Sequence, residues 1–132
     1  MKTEPTDIDR KAASLFTPAP GMRVWRAITA DTLSEPGMVL EVDSQSAGIR
    51  TDSGWSWFSI AAIDADDPAT VGCMLAQVEA VAGKPIDTWM STKGPMPDLP
   101  YAVESGPYVT IGRGATRGHA LLAAMRRLKR AS

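Results

Sequence analysis

The tetrapeptide Asp67-Pro68-Ala69-Thr70 constrains this chain most, because one hydrophobic period must end there and another begin. Aspartate accepts hydrogen bonds from the free N–H groups of a helix start, and proline at the first helical position loses nothing by lacking its own. Val71, Met74, Leu75, Val78, Val81 and Ala82 then recur at helical spacing, and Gly83 is a natural stop. The pattern predicts a helix over about 68–82.

Upstream, a short helix is expected from a cap at Thr6 or Asp7 to about Phe16, with Ile8, Ala12, Leu15 and Phe16 on one side. The run Thr17-Pro18-Ala19-Pro20-Gly21 stops it. From Met22 the apolar period is two. Strands are predicted at about 22–28, 38–42, 47–51 and 55–60, with turn chemistry at Glu35-Pro36-Gly37 and Asp52-Ser53-Gly54. Four short strands with tight turns suggest a bent antiparallel unit resembling half a barrel.

Downstream, Ile86 to Ser91 and Tyr108 to Ile111 read as strands. Residues 93–107 carry Gly94, Pro95, Pro97, Pro100, Gly106 and Pro107 and read as a long surface loop. A last helix over about 115–130 bears Leu121, Leu122, Met125 and Leu128, backed by Ala120 and Ala124. The expected fold class is α+β: an N-terminal helix, a four-stranded antiparallel unit at 22–60, then a helix–strand–strand–helix unit at 61–130. At 132 residues, both parts are expected to share one core as a single domain.

Composition narrows the function classes. No apolar run approaches the ~18 residues that cross a membrane, and the N-terminus lacks a signal-peptide apolar region, so a cytoplasmic protein is expected. The single cysteine, Cys73, excludes an internal disulfide framework and a cysteine-rich zinc site. Residues 1–60 sum to −2, residues 61–112 to −5 and residues 113–132 to +6. Arg126, Arg127, Lys129 and Arg130 suit the negative end of a helix dipole; a basic tail for nucleic acid is the sharper alternative.

Chemistry-bearing constellations are sparse. His119, the one histidine, falls opposite the Leu121/Leu128 stripe, and Cys73 sits beside packing residues, so no base faces a nucleophile and an enzyme is not expected. Asp64, Asp66 and Asp67 read as helix-start anions rather than metal ligands; no metal and no cofactor is expected. The segment Gly112-Arg113-Gly114-Ala115-Thr116-Arg117-Gly118 joins a strand to a helix start. Its two arginines, Arg113 and Arg117, make it a candidate anion or nucleotide site, against a plain glycine-rich connection. Trp55 and Trp57 share one face of their strand, with Phe58 and Ile60 on the other. Core packing of both faces is the default expectation; if the chain has a binding site, this strand is the first candidate, since exposed tryptophan anchors protein interfaces.

Asp67-Pro68-Ala69-Thr70-Val71-Gly72-Cys73-Met74-Leu75, with Pro20-Gly21-Met22, the Trp55–Ile60 strand and Gly114 to Leu121, resembles a group of small phage- and prophage-encoded proteins of unassigned function. The proline-rich 93–107 loop departs from that group's pattern. The resemblance implies a phage-related origin and a sandwich-like C-terminal part, and transfers no catalytic residue. The expected function is a non-catalytic protein-interaction module, host-directed or anti-defence, with an unknown protein as partner and a monomer or homodimer as its state. The alternatives are an anion binder at 112–118 and a nucleic-acid binder through the basic C-terminal helix.

Overall fold

The computed structural model describes residues 4–26, 35–43, 46–52, 54–90, 98–106 and 109–131. It contains helices and two antiparallel sheets of five and three strands, an α+β chain as expected. It divides into two compact units, Met1–Cys73 and Met74–Ser132, so the division falls inside the 68–82 helix rather than at 60/61.

In the first unit, α1 (Asp7–Leu15) starts at a capping box. The Asp9 backbone N–H donates to the Thr6 hydroxyl at 3.3 Å, and the Asp9 carboxylate accepts from the Thr6 N–H at 2.9 Å. The carboxylate of Asp9, fully buried, also accepts from the Ala65 N–H at 3.0 Å, tying the helix start to the end of the sheet. Strands β1 (Arg23–Arg26), β2 (Glu35–Val42), β3 (Ala47–Thr51), β4 (Gly54–Phe58) and β5 (Ile60–Ile63) follow, in the order β4-β3-β2-β1-β5. Helix α1 lies against β5.

Three sequence expectations change here. The strand predicted at 55–60 breaks at Ser59, so Phe58 ends β4 and Ile60 begins a fifth strand on the opposite edge of the sheet. Two edges of a five-stranded sheet lie roughly 19 Å apart when flat, whereas one linking residue spans about 7 Å. The sheet is therefore rolled, with Val24, Val39, Ala47, Ile49 and Ile63 buried on its inner face. Glu35-Pro36-Gly37 is not a turn but the start of β2. Pro36 pairs with Trp25 alone, because the β2–β3 register begins at Met38, so its missing N–H removes no bond to β3. Gly37 is required by proximity: a Cβ there would lie 2.6 Å from Ile49 Cγ2 and 2.7 Å from the Arg50 carbonyl oxygen. The third is Met22, which precedes β1 and is fully buried; Ala27 and Ile28, at the expected end of that strand, lie outside the described residues.

Helix α2 (Pro68–Ala82) has the boundaries its sequence predicts. The Asp67 carboxylate accepts from both the Thr70 N–H and the Thr70 hydroxyl at 3.1 Å, so this aspartate caps the helix. Met74 and Val78 are buried, while Val81, placed in the apolar stripe, is 47% exposed.

The second unit continues with β6 (Asp87–Met90), β7 (Tyr101–Glu104), β8 (Thr110–Gly114) and α3 (Arg117–Ala131), in sheet order β6-β7-β8. The expected loop at 93–107 is corrected by β7, which sits inside it as the central strand of this sheet. Residues 93–97 and 107, with Ser91 and Tyr108 at the ends of predicted strands, lie outside the described residues. Helix α3 packs on β7 and β8, burying Ala120, Leu121, Leu122, Ala124 and Met125.

Candidate functional site

The outer face of the first sheet carries the candidate site. Residues paired across antiparallel strands share a face. The registers Arg23↔Met38, Met38↔Arg50 and Arg50↔Trp55 thus set four side chains in one row across β1 to β4. A second row runs Glu41, Gly48, Trp57. Trp55 and Trp57 are 48% and 40% exposed, which corrects the default expectation that both faces of their strand are core. The reason is position: β4 is an edge strand on the outside of a rolled sheet, so its outward side chains have no layer above them.

The two indoles meet edge to face, with centroids 6.0 Å apart and an interplanar angle of 74°. A Cβ on Gly48, which pairs with Trp57 in register, would sit 3.4 Å from Trp55 Cζ2, an ordinary contact, and 3.2 Å from Glu41 Cγ. Beside the pair, Met38 is 51% exposed, Arg50 is exposed, and Arg50 has no carboxylate partner among the described residues.

The same row opens into a groove of about 670 Å³ whose lining includes Arg23, Gly37, Met38, Arg50, Asp52 and Asp67. Two of its charges are engaged locally: Arg23 Nε lies 3.4 Å from Asp64, and Asp67 caps α2. The Arg23 backbone N–H donates to the Thr70 hydroxyl at 2.8 Å, which holds the α2 start against β1. Of the groove's two arginines, Arg50 is therefore the one without an acidic partner among the described residues. Sequence reading missed Met38 and Arg50. The signal was present in the alternation of β3, where Gly48 and Arg50 share the face opposite Ala47 and Ile49.

At 112–118 the structure gives the glycines a packing role. β8 extends to Gly114, and a Cβ on Gly112 would lie 2.5 Å from the Ala120 carbonyl oxygen and 2.6 Å from the Ala124 nitrogen. On Gly114 it would lie 2.5 Å from the Ala120 nitrogen. These glycines admit the backbone of α3 rather than a ligand. The Thr116 hydroxyl accepts from the His119 N–H at 3.2 Å and so occupies the helix start. Arg113 stands over the Trp89 ring, 5.7 Å from its centroid, and Arg117 is exposed.

The remaining candidates are placed without assembling a site. Cys73 is half-buried, with its thiol 3.8 Å from the Pro20 carbonyl oxygen. Asp64 accepts from the Asp66 N–H at 3.1 Å, and no group of three metal-binding side chains occurs among the described residues. Arg126, Lys129 and Arg130 are exposed on α3, and Arg127 donates to the Thr110 carbonyl at 3.1 Å. No helix among the described residues is long and apolar enough to cross a membrane. No family model, curated protein or solved structure matches this chain.

Proposed function

We propose that this chain is a non-catalytic protein-interaction module that docks its partner on the Trp55–Trp57 face of the first sheet. The observation that carries this reading is the exposure of two edge-to-face tryptophans on one sheet face, beside Met38 and the available Arg50. Tryptophan and arginine are the residue types most enriched among interface hot spots, and a preformed aromatic pair loses little conformational entropy on binding. A host-directed partner is the setting that the phage resemblance suggests.

The test is capture of a partner by tagged wild-type protein beside Trp55→Ala and Trp57→Ala, each checked for its fold by circular dichroism. A hot-spot anchor costs at least about 2 kcal/mol when truncated, a roughly 30-fold loss of affinity. Capture undiminished in both variants would overturn the reading. Capture that survives both but disappears when Arg126, Lys129 and Arg130 are neutralised, and falls steeply with salt, would move the function to nucleic acid and the C-terminal helix.

A further inference from the structure

We infer that β4 is a self-complementary edge, and that two copies of this chain associate by antiparallel pairing of Gly54–Phe58 about a two-fold axis at Ser56. The inference rests on the docking reading only in that the tryptophan face stays open in the dimer.

The first observation is an unguarded edge. Among the described residues, strand β4 pairs with β3 on one side and with no strand on the other, and Trp55 to Phe58 make no other backbone hydrogen bonds. Edge strands normally carry lysine, proline or inward charges that block strand addition. Gly54-Trp55-Ser56-Trp57-Phe58 carries none of them. The other edge, β5, has α1 against it.

The second observation is symmetry. In an antiparallel pair centred on Ser56, Trp55 of one copy lies opposite Trp57 of the other, and the reverse. Both are aromatic cross-strand pairs, among the more favourable on a sheet. Neither is sterically excluded, because both side chains point to the exposed face.

The third observation is charge. The two-fold axis joins the row Met38–Arg50–Trp55 of one copy to the row Trp57–Gly48–Glu41 of the other. Each joined row then carries Arg50 from one copy and Glu41 from the other, and no like charges face each other across the axis. A heterologous occupant would need to match this pattern by chance; a second copy matches it by construction. The contact is short, since five residues span roughly 17 Å, so it belongs with interfaces at or below about 1,200 Å² and gives a reversible dimer. Its product is one continuous sheet bearing four tryptophans on a single face.

Sedimentation equilibrium on the intact chain tests this, over a range of about 10 µM to 1 mM, where weak association is measurable. The expected apparent mass rises from 14.1 kDa toward twice that value. Ser56→Lys sets two ammonium groups opposite each other on the face away from the tryptophans, and should weaken association at least about tenfold while leaving the fold intact. As a register check, Ser56→Cys should oxidise to a covalent dimer, since cross-strand Cα separations of about 4.5–5.5 Å fall within disulfide range. Asp52→Cys, at the end of the hairpin, and the wild type with Cys73 alone should not.

A monomeric mass throughout overturns the inference. So does a dimer unaffected by Ser56→Lys, or equal cross-linking at position 52. Partner capture retained by monomeric Ser56→Lys supports the docking face independently of the dimer. Capture undiminished by both Trp55→Ala and Trp57→Ala removes the docking face and leaves the mass measurement standing.

Discussion

Substituting alanine for Gly112 should be among the most destabilising single-methyl additions in this chain. The added carbon would lie 2.5 Å from the Ala120 carbonyl oxygen and 2.6 Å from the Ala124 nitrogen, about 0.9 Å short of ordinary contact at 3.4 Å. Both obstacles are backbone atoms of α3, so no rotamer change relieves them; the helix itself must retreat. A retreat of 0.5–1 Å forfeits about a quarter to a half of the dispersion energy of the contacts it opens. The buried residues on the moving helix include Ala120, Leu121, Ala124 and Met125, each at most 1% exposed. A quarter of the burial energy of its two large side chains, with overpacking strain added, gives a cost of about 2–3 kcal/mol. Equilibrium urea unfolding should show the midpoint falling by about 1–2 M. The control is Gly72→Ala, at an exposed position inside α2 with nothing within 4 Å of the new carbon. Removing a helical glycine there should raise stability by about 0.5–1 kcal/mol. A loss below about 0.5 kcal/mol at Gly112 would show that α3 does not rest on β8 as described.

Three other substitutions test the first unit. Asp9→Ala removes the acceptor for the Thr6 and Ala65 N–H groups, and should cost about 2–4 kcal/mol in thermal unfolding, since the Ala65 bond is buried. Thr70→Val keeps the shape but strands the Arg23 N–H and removes the hydroxyl donor to Asp67; the expected loss is about 1–3 kcal/mol, read by the same assay. Asp67→Ala, which removes the cap and the acceptor of the Thr70 hydroxyl, should cost about 1–2 kcal/mol and leave the tryptophan face unchanged by fluorescence.

What could be read in the sequence was the chemistry that acts locally. Helix α2 matches its expected bounds because Asp67, Pro68 and Gly83 each decide their own backbone geometry within one turn. The cap of α1, expected at Thr6 or Asp7 and found at Thr6, and the buried stripe of α3 are legible for the same reason. What escaped was decided by distant neighbours. Pro36 and Gly37 look like turn residues, yet the close approach of Ile49 and Arg50 makes a glycine the residue that fits inside β2. Tyr101–Glu104 sits among prolines and glycines, and becomes a strand because β6 and β8 flank it. The candidate site divides along the same line. That Trp55 and Trp57 share a face follows from a period of two, whereas their exposure depends on β4 lying at a sheet edge, which only the strand order reveals. The glycines of 112–118 could equally serve a phosphate or a helix, and the position of α3 selects the helix.

The one-residue passage at Ser59 also bears on the order in which the first unit assembles. The β2–β3 and β3–β4 pairings join strands close in sequence, and can form as soon as each hairpin is made. The pairing of Val24 with Ile63 and Trp25 with Ala62 instead joins the first strand to the last, and must wait for the whole meander. During synthesis the chain therefore holds Val24 and Trp25 on an unfinished margin until Ile63 has emerged. That interval leaves the β1 margin open to a wrong partner strand.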